Sequence, residues 1–279
     1  MNSVLRLALS LRLHVAAMPA VLTLFFADVL GFSVDVRYYL IVTLNTLAGY
    51  WANMLTDVTE DNANGRLSSV VVARHPRGFR LLTALAFGVA LLLSIPSGWG
   101  FVVYGFVLNL LGFLYSQPVA SFRIKRRLVL KNVYPALFWS VSLLVGPFVY
   151  AHRALNLAML YAVAAVFCWA AYVELMWDVR DAPGDRLAGV DSIPLMWGTA
   201  VTERILQVLN VAASAILVIA FVAGLNSSPW ITGVIVGIAT AVFTRFYFRT
   251  AEKEWHSHAF LFMVGSILLI SRLAPSGVV

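Results

Sequence analysis

Nine apolar stretches, separated by short polar segments, dominate this 279-residue chain and leave little choice of environment. The approximate spans are 14–32, 38–56, 80–96, 98–116, 132–150, 155–177, 205–224, 230–246 and 257–274. Most are long enough to cross a hydrocarbon core about 30 Å thick as helices. Helices this apolar on every face would need a very large core in water. Charged residues make up only 12% of the chain, against roughly 25% in soluble domains. The sequence therefore predicts an all-α, multi-pass membrane protein with nine transmembrane helices around a central cavity. No linker or low-complexity tract divides it, so residues 1–279 read as one domain. The first apolar run lacks a clear small-residue cleavage site and reads as a span, not a signal peptide.

Basic residues predict the orientation. With the N-terminus inside, segments 1–13, 57–80, 117–131, 178–204 and 245–256 hold 17 of the 20 Lys and Arg residues. Only Arg37, Arg153 and Arg272 fall on the other side. This asymmetry predicts a cytoplasmic N-terminus. Topology and an anionic-ligand site together account for the net charge of +7, so no nucleic-acid partner is required. The single cysteine, Cys168, lies mid-span and excludes an intrachain disulfide.

Two acidic clusters interrupt the apolar pattern, each fused to the end of a span. The first is Asn53, Asp57 and Asp61; the second is Glu174, Asp178, Asp181 and Asp185. With Glu60 they hold 7 of the chain's 13 carboxylates. On a helix the first set falls within an arc of about 80° and the second within about 60°. Like charges stacked in this way repel, which argues against a purely structural role. Two facing stripes of hard oxygen ligands suit a divalent cation, Mg²⁺ above all, shared with substrate phosphates. Glu174 lies a turn deeper than the rest, where a charge is expensive and needs a function or a partner. Trp51, Trp169 and Trp177 flank the stripes, and Asn109 and Asn210 within spans read as interhelical hydrogen-bond partners.

The order of these motifs resembles the UbiA superfamily of intramembrane prenyltransferases. Asn53, Asp57 and Asp61 are similar to its first Asp-rich motif, with Arg66 where an arginine commonly follows. Asp178 to Gly189, DVRDAPGDRLAG, resembles the second motif, followed by Ser192-Ile193-Pro194. Tyr115 to Arg127, YSQPVASFRIKRR, is similar to the basic loop after the fourth helix, and Lys131 and Asn132 continue that likeness.

The resemblance implies catalytic Asp57, Asp61, Asp181 and Asp185, in a metal-ligand set with Asn53, Glu174 and Asp178. It implies a diphosphate grip by Asn53, Arg66, Tyr115, Lys125, Arg126, Arg180 and Arg186. Lys125, within the loop, is expected to matter more than Lys131 beyond it. The implied reaction is Mg²⁺-dependent ionisation of a prenyl diphosphate at the cytoplasmic face of the bilayer, then transfer to an aromatic or other small acceptor. A terpene cyclase on the same scaffold is the alternative, and Met54 favours it, because many acceptor-using members carry aspartate there. A transporter is a remote third reading, since transporters place carboxylates near midplane.

Overall fold

The computed structural model describes residues 8–117, 124–225, 230–250 and 253–273. Residues 118–123 of the basic loop, the expected turn at 226–229 and both chain ends lie outside them. Every regular element among the described residues is helical. In chain order these are α1 Leu13–Leu30, α2 Val36–Thr56, α3 Val58–Ala63, α4 Leu67–Arg74, α5 Pro76–Ser94 and α6 Trp99–Ser116. They continue with α7 Leu130–Tyr150, α8 Leu157–Ala188, α9 Ile193–Val222, α10 Trp230–Arg249 and α11 Lys253–Leu273.

Helices meet what a bilayer demands, because each backbone N–H and C=O finds its partner within the segment. Five helical segments are long and apolar enough to cross: Pro76–Ser97, Leu130–Tyr150, Leu157–Ala188, Ile193–Val222 and Ile231–Arg249. Leu13–Ala27 and Trp99–Tyr115 are shorter apolar helices. Polar residues dilute the other two expected spans: Asn45, Thr46 and Asn53 in α2, and Lys253, Glu254, His256 and His258 in α11.

The helices close a ring. Neighbours pack in the order α1, α2, α6, α7, α8, α9, α10, α11 and back to α1, with α5 laid against α2. Exposure is inverted relative to a water-soluble protein. Leu81, Leu85, Leu92, Val208 and Ile238 face outward, while Asp57, Asp61, Asp178 and Asp185 are buried. That is the pattern of an integral membrane protein.

The two acid-bearing helices end differently. Asp57 caps α2 with φ −101° and ψ 12°, formally separating it from α3. The helical hydrogen bonds nevertheless continue across the break: Asp57 N–H donates to the Asn53 carbonyl at 3.0 Å, and Asp61 N–H to the Asp57 carbonyl at 2.8 Å. Helix α8 runs on unbroken through Pro183, well past the expected end at 177, until Gly189 stops it with φ 63°. Only glycine takes that left-handed turn at no steric cost. The second stripe thus rides on a single rigid helix.

Candidate active site

Arg66 joins the two acidic motifs. Its Nη1 donates to Asp61 Oδ1 at 2.6 Å, and its Nη2 pairs with Asp181 Oδ1. One planar guanidinium therefore holds carboxylates 120 positions apart in sequence. A second link lies beside it. Gly184 N–H donates to Asn64 Oδ1 at 2.8 Å, and a Cβ on Gly184 would sit 2.3 Å from Asn64 Nδ2. The α3 turn can lie this close to α8 because residue 184 has no side chain.

The remaining carboxylates are also held by cations. Lys125 Nζ bridges Asp57 Oδ2 at 2.5 Å and Glu60 Oε2 at 2.6 Å. Lys131 Nζ pairs with Asp178 Oδ1 at 2.9 Å and with Asp185 Oδ2, while Asn132 Nδ2 donates to Asp178 Oδ2 at 2.9 Å. Arg180 adds a two-point contact to Asp181, at 2.8 and 2.9 Å. Burial governs the protonation balance outside the spans. It pushes the Asp61 carboxyl above its ordinary range, although Arg66 and Arg12 pull it down. Burial also opposes the charges on Lys125 and Arg66, yet Asp57 and Glu60 hold the Lys125 pKa above its usual value, and Asp181 and Asp61 do the same for Arg66.

The ion-paired groups and Asn64 line one cavity of about 590 Å³, within the usual size range of small-molecule sites. Asn53 and Tyr115 line it as well, and the Tyr115 hydroxyl donates to the Lys131 carbonyl at 3.0 Å. Glu174 and Trp177 stand further in, near Tyr50 and Trp139, whose rings stack with centroids 6.0 Å apart. Arg126 and Arg186 depart from the expectation. Both are exposed and outside the lining. Arg186 follows Asp185 directly, and one residue turns a helix by about 100°, so it points away. Trp51 also turns outward, packing on Phe79 and donating its indole N–H to the Leu11 carbonyl at 3.1 Å.

Sequence reasoning ranked Lys131 below Lys125, but Lys131 is only 6% exposed and clasps two carboxylates of the second stripe. The expected span began at 132, one residue too late to include Lys131; the helix in fact starts at Leu130, which puts the lysine inside it, where it needs a buried partner. Arg12 was missed altogether. It is a buried cavity-lining arginine with φ 60°, unusual for a residue with a side chain, and burial followed by repulsion from Arg66 and Arg180 lowers its pKa to about 10. No periodicity marks it.

The donor set fits a divalent metal by its chemistry. The carboxylates are hard oxygen ligands on facing elements, all open to the same cavity. As the side chains stand, the described residues contain no group of three acidic or imidazole side chains converged on one point; lysine and arginine occupy the carboxylates instead. Seven carboxylates and six cationic side chains line the cavity, with Arg12 and Arg80 completing the basic set. Metal on the acids and phosphate on the bases would therefore exchange partners with little change in net charge.

The fold is shared with solved structures. The chain aligns with a UbiA homologue from Archaeoglobus fulgidus bound to GPP and Mg²⁺ at TM-score 0.69 and 16% identity, over 98% of this chain and 99% of that one. A homologue from Aeropyrum pernix K1 aligns at TM-score 0.67 and 17% identity, over 93% and 98%. In sequence, it is 30% identical over 118 residues to the polyprenyl transferase atnF of an Arthrinium species, covering 40% of this chain and 36% of that protein. The chain thus matches about a third of that relative's length. Residues 16–266 match the UbiA prenyltransferase family, and the chain belongs to that family.

Proposed function

We propose that this chain is a Mg²⁺-dependent intramembrane prenyltransferase that ionises a prenyl diphosphate and passes the prenyl group to an aromatic or other small acceptor. The observation that carries this reading is Arg66, which draws Asp61 and Asp181 together at the mouth of a cavity that continues between apolar and aromatic walls. The domain spans residues 1–279 and crosses the bilayer nine times from a cytoplasmic N-terminus, placing the site at the cytoplasmic face, as the distribution of Lys and Arg favours.

Asp57, Asp61, Asp181 and Asp185 are the principal metal ligands, with Asn53, Asp178 and Glu174 beside them. Bound Mg²⁺ supplies Lewis-acid neutralisation of the departing diphosphate. Lys125, Lys131, Arg66 and Arg180, released from the carboxylates, donate charge-assisted hydrogen bonds to phosphate oxygens. Tyr50, Trp139 and Trp177 line the same cavity, and their electron-rich rings would stabilise the positive charge that develops at the allylic carbon. Met54 packs with Trp51, Val72 and Phe79, so apolar contacts account for its hydrophobic character.

The test is detergent-purified protein with Mg²⁺, C10 to C20 and longer prenyl diphosphates, and a panel of aromatic acceptors, with products read by mass spectrometry. Prenylated acceptor is expected. Activity should vanish in EDTA and return with Mg²⁺, and Ca²⁺ should restore it poorly because its looser geometry misaligns the diphosphate. Efficient release of a cyclic terpene without acceptor would replace this reading with the cyclase.

A further inference from the structure

The cavity does not stop at its acidic mouth. Along α2 it is lined from Asp57 back to Tyr38, and along α6 from Tyr115 back to Phe101. At 1.5 Å per residue, Asn45 lies about 18 Å along α2 from Asp57, and Asn109 about 9 Å along α6 from Tyr115. There the two side chains meet. Asn109 Nδ2 donates to Asn45 Oδ1 at 3.2 Å and to the Gly105 carbonyl at 2.8 Å, which uses both of its hydrogens. These two bonds use Asn45 Oδ1 and Asn109 Nδ2, which leaves the side-chain amide Nδ2 of Asn45 and Oδ1 of Asn109 outside them. Both residues are half-buried on the cavity wall, amid Ile41, Val42, Phe106 and Phe113.

Building on the reading of the mouth as a prenyl diphosphate site, we propose that the Asn45–Asn109 amide pair is the chain-length stop of the tail channel, limiting it to two or three isoprene units. A tail that ends short of the pair leaves these amide groups hydrated. A longer tail would cover them with hydrocarbon that offers no hydrogen bond in return. An extended isoprene unit contains four carbon–carbon bonds and covers about 5 Å. A run of about 9 to 18 Å therefore admits geranyl or farnesyl chains, not C20 or C25. Beyond the pair, the channel continues to Tyr38, Phe101 and Tyr104, with the Tyr38 and Phe101 ring centroids 6.1 Å apart. Space for a longer chain exists there, so the stop acts through polarity.

The test measures Mg²⁺-dependent binding of C10, C15, C20 and C25 prenyl thiolodiphosphates to the detergent-purified chain and to the Asn45→Leu/Asn109→Leu double variant. Leucine keeps asparagine's branching and heavy-atom count, so the main change is one of polarity. The wild-type chain should bind C10 and C15 at least tenfold more tightly than C20 and C25, a difference of about 1.4 kcal/mol. The double variant should lose that preference by gaining roughly tenfold for C20. Wild-type binding of C20 as tight as C15 overturns the stop without recourse to any variant. Unchanged selectivity in a folded double variant overturns it too. Failure to bind any chain length would instead refute the prenyl diphosphate reading on which it rests.

Discussion

Asp35 and Asp61 each face an arginine, one beyond either end of α2, yet their surroundings drive them in opposite directions. Asp35 is exposed. It accepts from Arg37 at 2.9 Å, from the Tyr150 hydroxyl at 2.6 Å and from Tyr38 N–H at 3.2 Å. The Tyr150 hydrogen bond, followed by that from Arg37, lowers its pKa to about 2. Asp61 accepts from Arg66 at a similar distance, but burial outweighs the pairing and its pKa rises. The same contact favours the charge where water solvates the rest of the carboxylate and fails to compensate where it does not. Buried ion pairs are poor sources of stability. Several of them at one end of a membrane protein therefore call for a reason other than stability, and the proposed metal site supplies one.

Removing a carboxylate from the buried end should have the largest effect. Asp61→Ala and Asp185→Ala should each cut turnover by about a thousandfold or more, since a metal contact is worth several kcal/mol at the transition state. Arg66 keeps Asp181, and Lys131 keeps Asp178, so neither substitution strands its cation. The check is steady-state product formation alongside elution profile and thermal midpoint. Wild-type rates in both variants would remove these residues from the chemistry.

Next in size is the bridge itself. Arg66→Ala leaves Asp61 without its direct partner and should cost about 3 kcal/mol or more, the usual penalty for breaking a buried pair. Arg66→Lys keeps the charge but cannot span Asp61 and Asp181 with one planar group, so it should retain more stability than activity. Wild-type activity in the lysine variant would show that charge, not the two-point bridge, matters.

Smaller again is the backbone approach between α3 and α8. Gly184→Ala would push Asn64 aside and break its hydrogen bond to the backbone of residue 184, at a cost of about 1 kcal/mol. Asn64 is flexible at its far end, so the fold should survive. Asn64→Ala should cost a similar amount alone, and the double variant little more than either single, because both remove one contact. Additive losses would show that Gly184 matters for another reason.

Much of this was legible in the sequence because hydropathy and charge spacing act locally. Asp178, Asp181 and Asp185 share one helix face as their spacing predicts, and Asn109 and Asn210 do bridge helices, the latter donating to the Gly237 carbonyl at 2.7 Å. The first stripe was legible for a less secure reason. Its spacing assumed a continuous helix, and Asp57 breaks it, yet the i to i−4 hydrogen bonds carry the register across. What escaped was tertiary. That Lys131 reaches two carboxylates, that Arg12 turns inward and that Asn45 meets Asn109 depend on how helices rotate and cross. Nothing in a single helix's periodicity encodes those choices.

The smallest expected effect lies at the exposed end, and it tests whether the contrast between the two ends is one of burial. Tyr150→Phe removes the hydroxyl that donates to Asp35 and should cost well under about 1 kcal/mol, because the site is solvated. The Asp35 pKa is depressed on folding, so its contribution is fully present above the unfolded value near 3.8 and fades as pH falls toward 2. Thermal midpoints of the wild-type chain and Tyr150→Phe should therefore differ slightly at pH 6 and converge near pH 2. Tyr150 also packs edge-on against Tyr38 and Phe101, each with ring centroids 5.1 Å away, and phenylalanine preserves those contacts. A difference that persisted undiminished at pH 2 would mean that the hydroxyl serves the aromatic packing and not the carboxylate.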